Sequence, residues 1–457
     1  MMHATKLFFL LNYTLIILFI IINGFVCWAG NYSLDLNIPS SLNPVGSGAK
    51  ALSMGGAFIA VCDDGTAPSW NPAGLFQLEF PEISFVYDYT ERKEDSIFYE
   101  TTNRKGNVYE FKLNYLSFVL PIADQMNIAF SFQNFFNLNH EWNYEHKHIS
   151  KEYLEPIKIY QRQEGDLNAY GFSLCYDFNP LVIGITVNNW NNSKWDQVNI
   201  QKGKFGEPGI MSIEYSDYKT ESFTFKGYNF HFGFLWDITK SKSWRIAGIL
   251  KTPFKAKLNY KFDSFYQEFY DPIDETPLKE THLEGEQDNY IRMPLAYGIG
   301  IAHRCMDKQL WISADIYRTH WEDYELEDVE NTRRNPINWK NKADSSIDPT
   351  TWFRLGVEYK KPNCIINGKP VAIKFRAGIF YDPAPAENSP DNFYGVAIGG
   401  GISYEWFVFD LAGHYRYGNN VGESMYEDYI KFSQDVKEYK IYASVVLHIP
   451  HNIPCVF

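Results

Sequence analysis

Four basic residues in the second half of the chain have the type and spacing needed to hold an anionic group. They lie in segments where apolar and polar residues alternate, so that one face of each segment is apolar and the other polar. Ammonium and guanidinium groups bind a carboxylate through charge-assisted hydrogen bonds, most strongly in apolar surroundings. The residues predicted to form such a ligand site are Arg292, Arg354, Lys374 and Arg376.

Acidic residues on the same face give these basic residues a competing role. Asp315, Glu358 and Asp410 alternate in phase with them, and Arg416 belongs to the same set. Opposite charges that share one face of a sheet stabilise each other as cross-strand pairs. Structural ion pairs are therefore the alternative to a ligand site for each basic residue.

One long polar connection contains a second set of potential ligands, His140, Glu141, His146 and His148. Two imidazoles spaced by one residue lie on the same face of an extended strand, where they suit a transition metal. The connection is polar and charged throughout, so solvated side chains explain the same pattern, and no metal site is predicted. We find none of the short motifs of hydrolases, zinc proteases, phosphate-binding loops or dinucleotide folds. The sequence predicts neither an enzyme nor a cofactor.

The elements that must position the four basic residues are β-strands. From Glu82 onward, segments of roughly ten residues alternate apolar with polar, as half-buried strands do. In one of them Phe230, Phe232 and Phe234 alternate with His231 and Gly233. Fourteen strands are predicted, near 82–90, 108–120, 126–136, 167–178, 180–190, 222–237, 243–261, 291–304, 309–323, 351–361, 371–381, 392–404, 405–417 and 437–449.

The connections between these strands are alternately long and short. The long ones are polar and cover 91–107, 137–166, 191–221, 262–290, 324–350, 382–391 and 418–436. Short turns at one end, longer loops at the other and an even strand count are typical of a bacterial transmembrane barrel. Aromatic residues near the predicted strand ends fit interfacial girdles. These are Tyr87, Tyr89, Tyr115, Trp190, Trp236, Trp244, Trp311, Trp321, Trp352, Tyr381, Trp406 and Tyr417.

Composition agrees with an all-β membrane protein. Aromatic residues make up 17% of the chain, yet charged residues make up 21% and the mean hydropathy is −0.32. When apolar and polar residues alternate along strands, many aromatic side chains can lie on one face of a sheet although the sequence contains no long apolar run. A net charge of −13 disfavours nucleic acid as a partner. The acid-rich stretches 268–288 and 322–330 suit either solvent or divalent cations that bridge outer-membrane lipids.

The first residues are predicted to form a cleaved signal peptide over 1–29. Lys6 precedes an apolar stretch from Leu7 to Val26, and Cys27-Trp28-Ala29 is a cleavage site of the small-x-small kind. The stretch is also long enough to span a bilayer uncleaved, and a lipid on Cys27 is a further alternative. Of the other cysteines, Cys305 and Cys364 both lie in predicted short turns, which leaves a disulfide between them open.

Residues 30–80 differ from the barrel region 81–457. They are rich in Gly, Pro, Ala and Ser without sustained alternation, and Asn71-Pro72-Ala73-Gly74 is strong turn chemistry. A compact block ahead of a barrel is expected to fill the lumen as a hatch, or plug. The predicted fold is therefore a transmembrane antiparallel β-barrel of about 14 strands with this segment inside.

This block also resembles the hatch of the FadL family of outer-membrane transporters. The resemblance rests on Gly46-Ser47-Gly48-Ala49-Lys50-Ala51-Leu52-Ser53-Met54-Gly55-Gly56-Ala57-Phe58, on Asp63-Asp64-Gly65-Thr66-Ala67 and on Trp70-Asn71-Pro72-Ala73-Gly74-Leu75. Two barrel segments are similar to the same family, 314–321 and 375–392. Met54-Gly55-Gly56-Ala57-Phe58 also resembles PorV-like barrels, which serve protein secretion and surface attachment.

The resemblance implies uptake of long-chain fatty acids or other hydrophobic small molecules across the outer membrane, with lateral release after the hatch moves. Asn71, Pro72 and Ala73 are then the predicted gating residues, and Arg376 is the first candidate ligand because it lies in a family-like segment. A turn that seats the hatch without moving is the alternative role for those three residues. The PorV resemblance implies another function, a barrel that binds exported proteins.

Overall fold

The computed structural model describes residues 46–98, 102–146, 157–191, 193–207, 211–271, 277–366, 368–425 and 432–449. The predicted signal peptide and residues 30–45 of the predicted hatch lie outside these ranges. No helix in the described part of the chain is long and apolar enough to cross a membrane.

Strands make up nearly all of the chain after the N-terminal segment. They are β1 (Glu82–Phe98), β2 (Thr102–Ala123), β3 (Met126–Asn137), β4 (His140–His146), β5 (Ile157–Asp177), β6 (Leu181–Asn189), β7 (Ser193–Glu207), β8 (Met211–Lys226), β9 (Tyr228–Asp237), β10 (Trp244–Lys251), β11 (Phe254–Asp271), β12 (Lys279–Met293), β13 (Ala296–Cys305), β14 (Leu310–Thr319), β15 (Glu325–Glu327), β16 (Arg333–Arg334), β17 (Thr350–Ile366), β18 (Lys369–Tyr381), β19 (Tyr394–Tyr404), β20 (Phe407–Val421) and β21 (Ser433–His448).

Fourteen of these strands close into one antiparallel barrel. Each pairs with the next, in the order β1, β2, β3, β5, β6, β9, β10, β13, β14, β17, β18, β19, β20 and β21. The pairing of β21 with β1 completes the cylinder. Closure satisfies every strand edge internally, which a lipid environment demands. The predicted all-β class, strand count and antiparallel order are confirmed.

The short connections between consecutive barrel strands lie at one end of the barrel, as the sequence predicts. The turn between β2 and β3 is Asp124–Gln125, and that between β19 and β20 is Glu405–Trp406. The barrel begins and ends at this same end, where Glu82 pairs with His448. In an outer-membrane barrel the short turns face the periplasm.

Several of the long connections are not the polar loops that the sequence predicts, although 324–350 and 382–391 are mostly irregular. Most of 137–166, 191–221 and 262–290 is strand, and these strands extend the barrel wall beyond its rim. We call this extension the outer sheet; its order is β4, β5, β7, β8, β11, β12, β15 and β16. One face carries stacked rings, with the Trp195 and Phe223 centroids 4.7 Å apart and Phe223 and Tyr260 5.1 Å apart. These connections therefore alternate as well, with a polar face exposed to solvent.

The outward side chains of the barrel strands are predominantly apolar, as a lipid-facing surface requires. Examples on different strands are Phe172, Phe232, Ile299, Leu355 and Ile398, all exposed on this surface. A closed barrel of even strand number with such a belt is the form that spans the bacterial outer membrane.

A row of aromatic rings crosses the long-connection end of β17 to β21. Successive ring centroids lie 4.8–6.4 Å apart, from Phe353 through Tyr381, Tyr394, Tyr417 and Tyr415 to Tyr439. This row has the position of an interfacial girdle. Five residues predicted to belong to girdles are instead buried on the inward face: Tyr115, Trp190, Trp311, Trp321 and Trp352.

Cys305 and Cys364 are not joined by a disulfide. Both are free thiols, as are Cys62 and Cys175. Cys305 on β13 lies opposite Leu310 on the neighbouring strand β14, and Cys364 on β17 lies opposite Val371 on β18. The two cysteines thus have different strand partners, although both lie near short turns.

A charged residue in the lipid-facing belt should lower the free energy of unfolding more in the middle of the membrane than near its surface. Ile398 is 69% exposed at the middle of β19, and Ile365 is 77% exposed one residue from the end of β17. We expect Ile398→Arg to lower the free energy of unfolding by about 2–4 kcal/mol and Ile365→Arg by at most about 1 kcal/mol. Urea unfolding in lipid vesicles measures both, and equal losses would contradict the assignment of the belt.

Candidate functional site

Residues 46–80, which we call the inner segment, are almost completely buried although they form little regular structure. They contain two short helices, Ala49–Ser53 and Ala67–Trp70, and a 3₁₀ helix, Pro72–Gln77. Pro68 and Pro72 each start a helix at a position where no backbone donor is needed. The Asn71 side chain accepts a hydrogen bond from the Ala73 backbone N–H at 3.1 Å and so begins the 3₁₀ helix.

The inner segment is hydrogen bonded to inward residues on several sides of the barrel. The backbone N–H of Ala49 donates to Ser444 Oγ on β21 at 2.7 Å. Asn127 on β3 donates to the carbonyl of Leu75 at 2.7 Å. Asp315 on β14 accepts from the backbone N–H groups of Phe58 and Ile59 at 2.7 and 2.9 Å. These contacts with separate strands put the segment inside the lumen.

Inward glycines on β6 and β9 bring the turn at Asn71 directly against the barrel backbone. A Cβ at Gly184 would lie 2.4 Å from the Ala73 nitrogen, and a Cβ at Gly233 only 2.0 Å from Asn71 Oδ1. The Asn71 amide occupies this space and donates to the carbonyl of Phe234 at 2.9 Å and to that of Ile59 at 3.1 Å. The turn is thereby tied to the wall and to the rest of the inner segment.

A second group of glycines holds the start of the inner segment on the other side of the lumen. Cβ atoms at Gly356 and Gly378 would lie 2.3 and 2.2 Å from backbone atoms of Met54. A Cβ at Gly399 would lie 2.5 Å from Cβ of Ser53. Strand glycines commonly mark such close approach of two backbones.

A buried ionic network joins the inner segment to β17, β18 and β20. Lys50 Nζ lies 2.5 Å from Asp63 and 3.7 Å from Glu358. Arg376 donates to Glu358 at 2.5 Å and to Asp410 at 2.7 Å. Burial by itself lowers the pKa of Lys50, but the carboxylates of Asp63 and Glu358 outweigh this effect, and the pKa lies above its ordinary value. The ammonium therefore remains charged and keeps the helix Ala49–Ser53 in place.

The four basic residues predicted as ligands occupy three different environments. The Arg376 side chain is fully buried in the ionic network, and Lys374 interacts electrostatically with Glu358 and Asp410. Arg354 donates to the Gly55 carbonyl at 3.2 Å and lies 3.5 Å from Asp382. Carboxylate binding by these three stays a prediction, and the contacts seen here are those of the alternative structural role.

Arg292 does not lie in the lumen, where the strand phase placed it. It is exposed on β12 of the outer sheet and pairs in register with Lys255 and Glu325. The predicted strand 291–304 combined the end of β12 with β13, which are separate strands joined by residues 294–295. The inward and outward alternation of β13 was therefore wrongly extended to Arg292. His140 and His146 lie on β4, but their side chains and the whole of His148 fall outside the described residues.

Two small cavities lie beside the inner segment. One cavity of about 70 Å³ has a polar lining that includes Asp88, Lys112 and Glu438. Another of about 50 Å³ is lined largely by aromatic residues and contains Lys251. An engineered cavity that binds benzene has a volume of about 150 Å³. Neither interior cavity holds a hydrophobic ligand in the conformation described.

A cavity of about 660 Å³ lies on the lipid-facing side of the wall. Its sides are outward apolar residues, among them Leu174, Phe232 and Ile299. Its floor includes the backbone of Gly184, Gly233 and Gly298, and the inner segment contacts each of these glycines from the lumen. Only one layer of backbone therefore separates this outer cavity from the inner segment.

Sequence reasoning selected Asn71, Pro72 and Ala73 but missed the glycines they contact. These contacts could have been suspected from the sequence, because several neighbouring strands each contain a glycine on the inward face. Glycine is disfavoured inside a strand unless another backbone approaches closely. Pairing these glycines with the turn required the strand order and register. The gating role of the three residues stays a prediction.

The chain is similar to a known family over most of its sequence and to solved structures in its fold. A family model described as BamG matches residues 46–404, and no curated protein matches. The toluene transporter TodX of Pseudomonas putida has a TM-score of 0.61 and 14% identity, covering 90% of this chain and 100% of that chain. A Pseudomonas aeruginosa FadL homologue has a TM-score of 0.56 and 13% identity, covering 88% of this chain and 98% of that chain. The CymD monoaromatic hydrocarbon channel has a TM-score of 0.53 and 15% identity, covering 90% of this chain and 99% of that chain. At these identities the likeness is one of fold.

The contact between Asn71 and Gly233 makes a direct prediction about stability. Gly233→Ala places a methyl group where the Asn71 amide lies, and such overpacking should cost about 1–3 kcal/mol of unfolding free energy. Gly413 is the control, since a Cβ there meets nothing within 4 Å, and Gly413→Ala should change stability by less than about 1 kcal/mol. Denaturant unfolding of both variants in vesicles tests this. Equal effects, or an unchanged cost of Gly233→Ala in an Asn71→Ala background, would refute the close contact.

Proposed function

The chain belongs to the BamG family, and we propose that it is an outer-membrane channel through which hydrophobic small molecules leave the lumen sideways into the bilayer. The barrel shares its fold with a FadL homologue, toluene transporters and a monoaromatic hydrocarbon channel. Those substrates belong to the named relatives, and their common property is low polarity. The substrate class proposed for this chain is accordingly hydrophobic small molecules, with long-chain fatty acids as one member.

The observation that carries this proposal is the thin wall between the inner segment and the outer cavity. On the lumen side the wall touches the turn at Asn71, and on the lipid side it borders an apolar space of about 660 Å³. A hydrophobic molecule that passes from the lumen to the lipid without contacting water avoids an unfavourable exposure. The avoided free energy is about 25 cal/mol for each Å² of its apolar surface. The shortest such route passes Gly184 and Gly233.

The turn Asn71-Pro72-Ala73 is the proposed gate on this route. In this proposal the conformation described is the closed one, in which the Asn71 amide is bonded to the Phe234 carbonyl and the two cavities beside the inner segment are small. Each net hydrogen bond contributes about 1 kcal/mol, so the bonds that Asn71 donates to Phe234 and Ile59 together hold the turn by about 2 kcal/mol. The rest of the inner segment stays in place through the ionic network at Lys50.

A fatty acid would make an additional demand on the lumen. Its carboxylate could bind Arg376 only by competing with Glu358 and Asp410, which lie 2.5 and 2.7 Å from the guanidinium. A neutral hydrocarbon makes no such demand. We therefore place neutral hydrophobic compounds ahead of fatty acids as substrates and keep Arg376, Lys374 and Arg354 as the proposed carboxylate ligands.

The outer sheet supports a second candidate function, the binding of an exported protein. It adds ordered strands beyond the rim, and its exposed face carries ion-pair rows such as Lys257–Asp288 at 2.8 Å and Lys261–Glu286 at 3.1 Å. A preformed charged sheet suits a protein partner better than a small apolar molecule. In this role the inner segment is a permanent seal.

Uptake by cells distinguishes the two functions. The protein is expressed in a bacterium that lacks its own fatty-acid porin, and radiolabelled toluene and oleate are supplied separately. We expect the wild type to raise uptake of toluene. Asn71→Ala, which removes the bonds to Phe234 and Ile59, should raise it a further severalfold because it weakens the closed state.

Ser53→Ala is the matched control for this experiment. Ser53 also contacts an inward glycine, Gly399, but that contact is on the other side of the lumen from the outer cavity. This variant should transport like the wild type. Protein that is inserted, as shown by its heat-modifiable migration, and that raises uptake of neither compound would refute the channel and favour the protein-binding role.

A further inference from the structure

The short-turn end of the strands that form the outer cavity is rich in positive charge. The turn between β9 and β10 carries Lys240 and Lys242, and that between β13 and β14 carries Lys308, all three exposed. Arg304 lies at the end of β13 and donates to the Lys308 carbonyl at 3.1 Å. None of the three lysines has an ion pair with a described residue, and the one exposed acid in these two turns is Asp307.

Two exposed tryptophans lie between these charges and the outer cavity. Trp236 is 45% and Trp244 41% exposed, and they belong to β9 and β10 next to the turn. Tryptophan prefers the level where lipid headgroups meet hydrocarbon. The lysines are thus at headgroup level and the cavity is on the hydrocarbon side of it.

The spacing between charge and cavity matches one leaflet of a bilayer. Gly248 in the cavity wall is six positions after Lys242, which is roughly 20 Å along an extended chain. Tilted by about 45°, the strand rises about 14 Å, close to half of the roughly 30 Å hydrocarbon core. A lipid whose phosphate is at the turns therefore reaches the cavity with an acyl chain.

The cavity itself is a notch in the lipid-facing belt and not a separate pocket. The ring of Phe234 lies over Gly248, 2.4 Å from where a Cβ would be, and forms one side of the notch. Leu174 and Leu250 form part of the surrounding wall. The notch is continuous with the surface that contacts the bilayer, so an acyl chain enters it without crossing polar groups.

We propose that the outer cavity and the adjacent lysines form a binding site for one phospholipid of the periplasmic leaflet. Its phosphate interacts with Lys240, Lys242 and Lys308, and one acyl chain occupies the cavity. The short turns face the periplasm, where the leaflet consists of phospholipid, and this selects the lipid class. The site does not depend on the passage of any compound through the barrel, and its test requires no transport.

Native mass spectrometry of the full-length protein tests this site with palmitoyl-oleoyl phosphatidylglycerol as the probe. The wild type should retain one lipid molecule at low lipid concentration. Leu174→Trp with Leu250→Trp fills the cavity and should weaken retention roughly tenfold or more, because the acyl chain loses its apolar contacts. Lys240→Gln with Lys242→Gln should weaken it to a similar degree, because lysines near a membrane surface attract anionic lipid.

Each pair of substitutions has a control elsewhere on the protein. Leu355→Trp with Leu411→Trp makes the same change at lipid-facing residues away from the cavity. Lys257→Gln with Lys261→Gln removes two exposed lysines from β11 of the outer sheet, away from the short turns. Both controls should retain lipid like the wild type. Diacylglycerol with the same chains, which lacks the phosphate, should bind at least tenfold more weakly than the phospholipid.

Two results would overturn the proposal. One is a wild type that retains no more phospholipid than the cavity-filled variant. The other is a loss of lipid that is equal in the test and control variants, which would show nonspecific association with the belt. Either result leaves the uptake experiment intact, because lipid retention and uptake are measured separately.

Discussion

A closed barrel of fourteen strands encloses more space than its own inward side chains fill, and this constraint governs the rest of the structure. A bilayer supplies no hydrogen bonds, so the strand edges must close on each other, and closure with this many strands leaves a wide lumen. The inner segment fills it. Because the segment has little regular structure, its backbone groups need partners on the barrel, and Ser444, Asn127 and Asp315 provide them.

Glycines and charges divide the work of holding the inner segment. At Gly356 and Gly378 the missing side chains let two backbones touch, and close by the ionic network fixes Lys50 through Asp63 and Glu358. At Gly184 and Gly233 there is no ion pair, and the contact depends on the hydrogen bonds of Asn71. The start of the segment is thus held by an ion-pair network and the turn at Asn71 mainly by an amide. Near the turn, the buried Arg245 also donates to Gln77 of the inner segment at 2.8 Å. We expect the turn itself to be the easier part to release.

The barrel was predictable from the sequence because alternation and connection length report directly on strands in a membrane. Alternation does not decide which face of a strand meets the lipid when aromatic residues occur on both faces. Trp190 and Trp352, which are buried on the inward face, are examples. Arg292 was misplaced because an apolar–polar pattern continues from β12 into β13 across a break in the chain. The outer sheet was missed since its solvent face is as polar as a loop.

The candidate site was predictable only in part, for a related reason. The turn at Asn71 has distinctive local chemistry and was found. Gly233 and the carbonyl of Phe234, which it contacts, lie more than 160 positions away, and no local pattern links them. The ion pairs of Arg376 were anticipated as one of two roles, because opposite charges in matching phase were visible in the sequence.

Photolabelling with a toluene analogue that carries a diazirine tests whether hydrophobic molecules cross the wall at Asn71. The full-length protein in lipid vesicles is irradiated and the labelled peptides are mapped, with and without excess toluene. We expect label on residues 71–73 in addition to lipid-facing residues, and we expect excess toluene to remove the label from 71–73. Label confined to the lipid-facing surface, with none on 71–73, would contradict a crossing at Asn71.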